Sequence, residues 1–253
     1  MNRPYLIANW KMNLTLTESV EVAAVIGQGS RGVAAEVVVC PAFPNIAAVA
    51  EVFKETVVSL GAQDVAAEER GSYTGEVSAA MLKAVGCRYV IVGHSERRRR
   101  FQETNALVNA KLRRALQHEL TPILCVGETK EERDAGEANR VVSEQVAEAL
   151  AGVEHDSGRI IIAYEPVWAI SPSPPAKSAD ALVMLPVIQE AIARQTQLHP
   201  DGYVVVYGGS VAANNVASFV GPGRLAGVLV GKESLSGQEF LAIIATAAAA
   251  YVQ

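Results

Sequence analysis

Polar and charged side chains follow several short apolar segments of this chain, each directly after the segment ends. Asn9 and Lys11 follow the first segment, His94 and Glu96 follow the fourth, and Glu165 follows the sixth. Carboxylate, imidazole and ammonium groups are the usual carriers of acid–base catalysis and of anion binding. If the fold brings these segment ends together, the residues make a candidate catalytic site.

Each of these residues also has an ordinary structural interpretation. A lysine after a strand is usually a solvated surface charge, and a histidine there commonly hydrogen-bonds within a loop. Glu165 could cap a helix. The functional interpretation therefore rests on the joint occurrence of these residues, and on the elements that carry them.

Glycines follow the seventh and eighth apolar segments. Gly208 and Gly209 precede Ser210, and Gly231 precedes Lys232. In a barrel of parallel strands, the loops after strands seven and eight often bind phosphate through backbone N–H groups. A residue without Cβ lets the backbone approach a ligand closely, although a tight turn with positive φ would also favour glycine.

Eight short segments are near-continuous apolar runs, which is typical of parallel strands buried on both faces. They are Tyr5–Asn9, Val37–Pro41, Val57–Gln63, Tyr89–Gly93, Pro122–Val126, Ile160–Tyr164, Val204–Tyr207 and Gly227–Val230. Helical patterns lie between them, at Thr17–Gln28, Ser78–Val85, Asn105–Glu119, Ala138–Leu150, Ala179–Gln195 and Ser236–Tyr251. This alternation predicts βαβ units and a parallel sheet.

A closed barrel fits this alternation better than an open doubly wound sheet, which would carry a Gly-x-Gly-x-x-Gly turn after its first strand. We therefore predict the α/β class and a single-domain (β/α)8 TIM barrel over residues 1–253. The Pro/Ser-rich stretch Ser171–Pro175 is too short for a linker. It follows a strand, which makes it a candidate active-site loop.

Composition excludes several classes of function. The 253 residues are 50% hydrophobic and carry a formal net charge of -5. This charge does not favour binding to nucleic acid or to an anionic membrane. The N-terminus lacks the apolar core of a signal peptide, and no apolar run is long enough to span a bilayer. We expect a cytoplasmic protein.

The remaining cysteines and charge runs have structural interpretations. Cys40, Cys87 and Cys125 lie in apolar runs without paired spacing, so we expect small buried side chains in strands. The run Arg97–Arg100 predicts a charged loop or helix start with ion pairs. Glu128–Arg140 predicts a solvated helix entry of mixed charge.

Several motifs resemble the triosephosphate isomerase family, in family order from about Leu6 to Ile244. They are Asn9-Trp10-Lys11-Met12-Asn13, Gly61-Ala62-Gln63, Thr74-Gly75-Glu76, Gly93-His94-Ser95-Glu96-Arg97-Arg98, Cys125-Val126-Gly127-Glu128-Thr129, Ala163-Tyr164-Glu165-Pro166-Val167-Trp168-Ala169-Ile170 and Tyr207-Gly208-Gly209-Ser210-Val211. The family interconverts dihydroxyacetone phosphate and glyceraldehyde 3-phosphate through an enediolate. It does so without metal or organic cofactor.

The resemblance implies a role for each matched residue. Glu165 would be the base and His94 a neutral proton shuttle, which is the established pairing of this family. Lys11 would stabilise negative charge, Asn9 would bind substrate oxygens and Glu96 would be a supporting carboxylate. Ser171, Ser210, Gly231 and Lys232 fall where the family binds the substrate phosphate.

The resemblance also implies a lid and a dimer. The lid would begin at Pro166, Val167 and Trp168, and Tyr207 would latch it near Ala176. The loop around Thr74 would insert into a partner subunit and make a homodimer.

This chain departs from the family most in the lid. The family usually continues Ala-Ile-Gly-Thr-Gly-Lys, whereas here Ser171-Pro172-Ser173-Pro174-Pro175 follows Ile170. Proline lacks an N–H and fixes φ, so we expect altered opening and closing of the lid. Lys232 and Gln102 also stand where the family has glycine.

Two alternatives remain open from the sequence. An isomerase of a related four-carbon sugar phosphate would keep Lys11, His94 and Glu165 and change the lid. The second alternative is a barrel that binds phosphorylated metabolites but has impaired catalysis, and the prolines of the lid would fit it. The sequence does not show whether this lid is natural or engineered.

Overall fold

The computed structural model describes residues 3–154, 159–170, 176–195 and 202–252. Eight parallel strands form a closed barrel, in which each strand pairs with the next and the eighth pairs with the first. The strands are β1 Tyr5–Asn9, β2 Glu36–Cys40, β3 Ser59–Ala62, β4 Tyr89–Val92, β5 Thr121–Val126, β6 Ile160–Tyr164, β7 Tyr203–Gly209 and β8 Gly227–Val230. The predicted (β/α)8 barrel is confirmed.

The predicted strand bounds differ most at β3 and β7. Val57 was expected to begin β3, but its side chain is 59% exposed and the strand begins at Ser59. β7 was expected to end at Tyr207, but Gly208 and Gly209 continue the ladder by pairing with β8. Glycine is unfavourable within strands, so the sequence pattern ended this strand too early.

Helices cover the outside of the barrel. They are α1 Leu16–Gly29, α2 Ile46–Phe53, α3 Ala79–Ala84, α4 Ser95–Phe101, α5 Asn105–Gln117, α6 Lys130–Asp134, α7 Ala138–Ala149, α8 Ser178–Gln195, α9 Val216–Phe219 and α10 Gly237–Val252. The sequence analysis did not predict α2, or α9, which has only four residues. In the described ranges, no helix combines the length and apolarity that crossing a bilayer requires.

Side chains alternate between two core layers along each strand. In β6, Ile160, Ile162 and Tyr164 pack outward against the helices. Ile161 and Ala163 point into the barrel. Because the side-chain period of a strand is two, Glu165 continues the inward row at the carboxyl end. Asn9 continues the inward row of β1 in the same way, after Tyr5 and Ile7.

All three cysteines are buried, as predicted. Cys40 and Cys125 lie in β2 and β5, but Cys87 precedes β4, so its expected place within a strand was wrong. Burial raises the pKa of Cys87 to about 12. These thiols therefore act as small apolar core side chains.

Candidate active site

The strand-end residues meet in one cleft at the carboxyl mouth of the barrel. The cleft has a volume of about 400 Å³, within the range of small-molecule sites. Among its lining residues are the predicted Asn9, Lys11, His94, Glu96, Glu165, Ser210, Gly231 and Lys232. The sequence therefore placed these residues at the same end of the barrel.

Lys11 is held in a strained backbone conformation. Its φ is 51°, in the left-handed region that non-glycine residues rarely adopt. Its N–H donates to Asn9 Oδ1 at 3.1 Å, and its carbonyl accepts a hydrogen bond from Gln63 Nε2 at 2.9 Å. These contacts direct the side chain into the cleft, where its ammonium lies 2.7 Å from Glu96 Oε1. Such strain persists only where the surroundings enforce it.

His94 and Glu165 form a buried pair, with Nε2 of His94 3.1 Å from Glu165 Oε1. The N–H of Ser95 donates to Glu165 Oε2 at 3.1 Å. The N–H of Glu96, in the first turn of α4, donates to His94 Nδ1 at 3.2 Å. Because Nδ1 accepts this bond, the proton of a neutral ring lies on Nε2, which faces the cleft.

Burial and charge oppose each other in this pair. Burial disfavours ionised Glu165, but His94 and the Ser95 N–H outweigh it and hold the pKa of Glu165 below its ordinary value. Burial disfavours protonated His94, but the Glu165 carboxylate raises the pKa of His94. Burial also opposes ionised Glu96, yet Lys11 lowers the pKa of that carboxyl. Glu165 is therefore an ionised carboxylate, as a base must be.

Gly208 and Gly209 make room for neighbouring side chains of this same chain. A Cβ on Gly208 would lie 2.8 Å from Glu165 Cγ, and a Cβ on Gly209 would lie 2.3 Å from the Tyr207 hydroxyl. Neither glycine has positive φ, so the tight-turn interpretation is wrong. Gly208 instead leaves space for the carboxylate side chain.

Glu128 was expected to be solvated, and that expectation is wrong. Its side chain is fully buried. It accepts hydrogen bonds from Trp168 Nε1 at 2.7 Å, from the Tyr164 hydroxyl at 3.1 Å and from Arg133 at 3.1 Å. The Val167 N–H donates to the Glu128 carbonyl at 3.1 Å. Glu128 therefore fixes the turn that follows β6.

Arg133 joins the two sides of the predicted lid. Its guanidinium lies over the Trp168 ring, 4.3 Å from the centroid, and also bonds Asp180 in α8 at 3.0 Å. Pro166 precedes the short 3-10 turn Val167–Ala169. Trp168 and Asp180 thus flank the lid segment in sequence and are tied by one side chain.

The segment 171–175 lies outside the described residues, and with it Ser171 and the proline lid. Beyond it, Ala176 is buried. Burial raises the pKa of Tyr207, whose ring stacks on Phe219 with centroids 4.1 Å apart. Among the described residues, the Tyr207 hydroxyl has no hydrogen-bond partner, so it is available to a group that approaches.

Thr74 and Gln102 lie outside the cleft. Thr74 is exposed on its own chain. Gln102 ends α4 with φ 56°, and its N–H donates to the Arg97 carbonyl. The residue that ends a helix in the left-handed conformation is usually glycine. This explains why the family has glycine where this chain has Gln102. Glu119 has the same φ of 56° after α5.

A buried ion cluster lies beside the site, and the sequence analysis did not find it. Lys111 Nζ contacts Asp64 at 2.7 Å and Glu103 at 2.6 Å. Arg97 contacts the same two carboxylates at 2.8 and 2.6 Å. This confirms the ion pairs expected near Arg97. Lys111 shares the buried face of α5 with Val108 and Leu112, and that helical spacing was the available signal.

The carboxyl mouth of this (β/α)8 barrel carries a carboxylate, a histidine and a lysine. Together they define the class of protein, which is a barrel enzyme that works by acid–base catalysis. Among the described residues, no cluster of three His, Cys, Asp or Glu side chains could hold a metal ion.

Comparison with known proteins identifies the family. The sequence profile of triosephosphate isomerase matches residues 4–247. The triosephosphate isomerase of Moorella thermoacetica is 44% identical over 245 residues, covering 96% of this chain and 98% of the relative. That of a Roseiflexus species is 44% identical over 247 residues, covering 96% and 97%.

A solved structure gives the same result. The triosephosphate isomerase of Bartonella henselae superimposes with a TM-score of 0.85 at 34% identity, covering 96% of this chain and 98% of that chain. This chain therefore belongs to the triosephosphate isomerase family.

Proposed function

We propose that this chain interconverts glyceraldehyde 3-phosphate and dihydroxyacetone phosphate through an enediolate. The observation that carries the proposal is the cleft in which ionised Glu165, the Nε2 of His94 and the Lys11 ammonium face one space. The same cleft reaches the loops after β7 and β8, where barrels commonly bind phosphate. The membership of the isomerase family supports the same reaction.

Glu165 is the proposed base. It removes a proton from the carbon next to the substrate carbonyl and returns one to the neighbouring carbon, with the electron pair held as an enediolate. The substrate must displace the contact between Glu165 and His94, which is 3.1 Å long in the structure. Only 5% of the Glu165 side chain is exposed, so water competes little for this base.

His94 is the proposed acid and proton shuttle between the two substrate oxygens. The Glu165 carboxylate raises the pKa of His94 in the free site, and the substrate displaces that contact. The Glu96 N–H that donates to Nδ1 then favours the neutral ring with its proton on Nε2. A neutral N–H can donate to the carbonyl oxygen and then exchange protons between the oxygens. An imidazolium would need a proton on Nδ1 and would lose the Glu96 bond.

Lys11, Asn9 and Glu96 are proposed to stabilise the charge that develops. The Lys11 ammonium balances the enediolate oxygen, and Asn9 helps to orient the substrate oxygens. Glu96 holds that ammonium at 2.7 Å and keeps it directed into the cleft.

The phosphate of the substrate is proposed to bind the backbone N–H groups of Ser210, Gly231 and Lys232, with the N–H of Ser171 added by the lid. The first three residues line the cleft on the side of β7 and β8. This position leaves the carbonyl end of the substrate near Glu165 and His94.

The segment that begins at Pro166 is proposed to be the lid over the reacting atoms. Glu128 and Arg133 hold its first turn. The Tyr207 hydroxyl, which has no hydrogen-bond partner among the described residues, is the proposed latch. A Gly-Thr-Gly-Lys graft in place of the prolines tests the lid. Equal loop relaxation and equal turnover in the graft would contradict altered closure.

A homodimer is proposed from three exposed apolar side chains and from the loop that contains Thr74. Met12, Tyr73 and Phe101 are 95%, 49% and 64% exposed, and Thr74 lies in the same exposed loop as Tyr73. Where exposed apolar side chains form one patch, they mark protein–protein interfaces. Sedimentation velocity tests this, because a fully active monomer would contradict it.

The whole chain, residues 1–253, is proposed to fold as one barrel domain in the cytoplasm. The family profile spans residues 4–247 without a break, which supports a single domain. Cytoplasmic location is supported by the three buried cysteines without disulfides, since disulfides are rare in that compartment.

The experiment is a comparison of kcat/KM for glyceraldehyde 3-phosphate and for four-carbon aldose phosphates. We expect the triose to be preferred and Glu165→Gln to lose activity while it still binds inorganic phosphate. A preference for the four-carbon substrates would support the related isomerase. Phosphate binding without turnover on either substrate would support the barrel with impaired catalysis.

A further inference from the structure

The charged groups that line the cleft are on balance unfavourable for a phosphate dianion, and Lys232 is one of the two lysines among them. The lining contains three carboxylates and two ammonium groups, which are Glu96, Glu165, Glu233, Lys11 and Lys232. The whole chain carries a formal net charge of -5, so its overall field also repels an anion. The lid segment 171–175 has no charged side chain.

Lys11 cannot balance these carboxylates alone. Its ammonium lies 2.7 Å from Glu96 Oε1, so part of its charge is already neutralised. Its side chain passes close to Gly231, where an added Cβ would be 3.6 Å from Lys11 Cε. Lys11 therefore reaches the end of β8 from the β1 side.

Lys232 lies at the same end of β8. It follows Gly231 directly, lines the cleft and is exposed. Within the part of the chain that the structure describes, its ammonium has no hydrogen bond or ion pair. A cation without a carboxylate partner keeps its full charge for a ligand.

We propose that the Lys232 side chain is a second cation for the substrate phosphate, which attracts and binds phosphate monoester dianions. This inference rests on the proposed function, because that function places the phosphate beside Ser210 and Gly231. The N–H of Lys232 already belongs to the proposed phosphate site, and the ammonium adds charge to it.

This role predicts an effect on binding and not on chemistry. The ammonium contacts the phosphate equally in the ground state and in the transition state, so KM rises and kcat changes little when it is lost. Attraction at the mouth of a cleft is screened by salt. Loss of Lys232 should therefore also flatten the dependence of kcat/KM on ionic strength.

The test is calorimetric titration of the full chain with inorganic phosphate, at low and at high salt. Lys232→Gly keeps the backbone N–H and removes only the side chain, and Lys232→Arg keeps the charge. Lys54→Met is the matched control, because Lys54 lies between α2 and β3 and pairs with Glu51 at 2.6 Å. It changes net charge by the same amount outside the cleft.

We expect Lys232→Gly to weaken phosphate binding about three- to tenfold at low salt, a typical size for one local charge. Lys232→Arg should restore most of the affinity, and Lys54→Met should leave it within a factor of about two. Equal affinity of Lys232→Gly and Lys54→Met would overturn the proposal. So would a lack of measurable phosphate binding by the unmodified chain.

Turnover separates this proposal from the proposed function. If phosphate binding depends on Lys232 but neither triose nor four-carbon phosphates are isomerised, the cation role stands and the isomerase function fails. If turnover is normal and Lys232→Gly leaves KM and its salt dependence unchanged, the function stands and the cation role fails.

Discussion

Two clusters of charged side chains lie on either side of α4. The cleft cluster consists of Lys11, His94, Glu96 and Glu165. The interior cluster consists of Asp64, Arg97, Glu103 and Lys111. Glu96 and Arg97 are adjacent in α4, yet each belongs to a different cluster.

The clusters differ in whether their charged groups line the cleft. In the interior, the Lys111 ammonium lies between two carboxylates, and Arg97 contacts the same two groups. In the cleft, the side chains of Lys11 and Glu96 remain 29% and 40% exposed. Because the Lys11 and Glu96 side chains remain partly open in the cleft, they can exchange their mutual contact for contacts with a substrate. The interior groups cannot do so without leaving a buried charge unpaired.

Helix α4 therefore contributes Glu96 to the cluster that we connect with turnover and Arg97 to the cluster that we connect with stability. We expect changes in the cleft cluster to reduce turnover and changes in the interior cluster to reduce the free energy of unfolding. Four variants test that separation.

Replacement of His94 should have the largest effect. We expect His94→Asn to lower kcat by about 10²- to 10⁴-fold, because the variant lacks the proton shuttle. His118→Asn is the matched control, since His118 pairs with Glu69 at 3.0 Å on the surface. Steady-state kinetics measure kcat for both variants. Equal kcat for His94→Asn and His118→Asn would contradict a role of His94 in turnover.

Replacement of Lys111 should mainly reduce stability. Lys111→Met leaves Asp64 and Glu103 with Arg97 as their remaining charged partner, and we expect a loss of about 3–5 kcal/mol. Denaturant unfolding measures this loss. Turnover per folded molecule should stay near that of the unmodified chain, and a large loss of kcat in the folded variant would contradict the separation.

Replacement of Gly208 tests how closely turnover depends on the position of the Glu165 carboxylate in the cleft. A Cβ there would lie 2.8 Å from Glu165 Cγ and would displace the carboxylate. We expect Gly208→Ala to lower kcat by about 10- to 10²-fold, since a displacement near 1 Å can cost that much. Gly27→Ala, within α1, controls for the added methyl group. Equal kcat of Gly208→Ala and Gly27→Ala would show that the base is not displaced.

Replacement of Gln102 should have the smallest effect. Gln102→Gly relieves a left-handed residue between the two clusters, and we expect about 1 kcal/mol of added stability. Glu119→Gly, with the same φ of 56°, should stabilise the chain by a similar amount. Unfolding curves of the two variants measure this. A lower free energy of unfolding in both variants would contradict the claim that positive φ strains the backbone at Gln102 and Glu119.

The sequence predicted the barrel and its cleft for a physical reason. Parallel strands buried on both faces give apolar runs, and their carboxyl ends meet at one mouth. The inward row of β6, with Ile161, Ala163 and Glu165, follows directly from the period of two. The sequence alone could therefore place Asn9, Lys11 and Glu165 at the same mouth of the barrel.

Contacts between distant elements could not be predicted in this way. Glu128 looked like part of a solvated charged segment, but Tyr164, Trp168 and Arg133 enclose its carboxylate. Local charge patterns do not show which side chains fold over a residue. The same holds for Lys111, whose partners lie 47 and 8 positions away along the chain.

The position of the Glu165 carboxylate is the central claim, and Glu165→Asp tests it most directly. This variant keeps the charge and withdraws the carboxylate by one methylene. We predict that kcat for glyceraldehyde 3-phosphate falls by at least about 10²-fold, while inorganic phosphate still binds. Turnover of Glu165→Asp within a few-fold of the unmodified chain would contradict the assignment of Glu165 as the base.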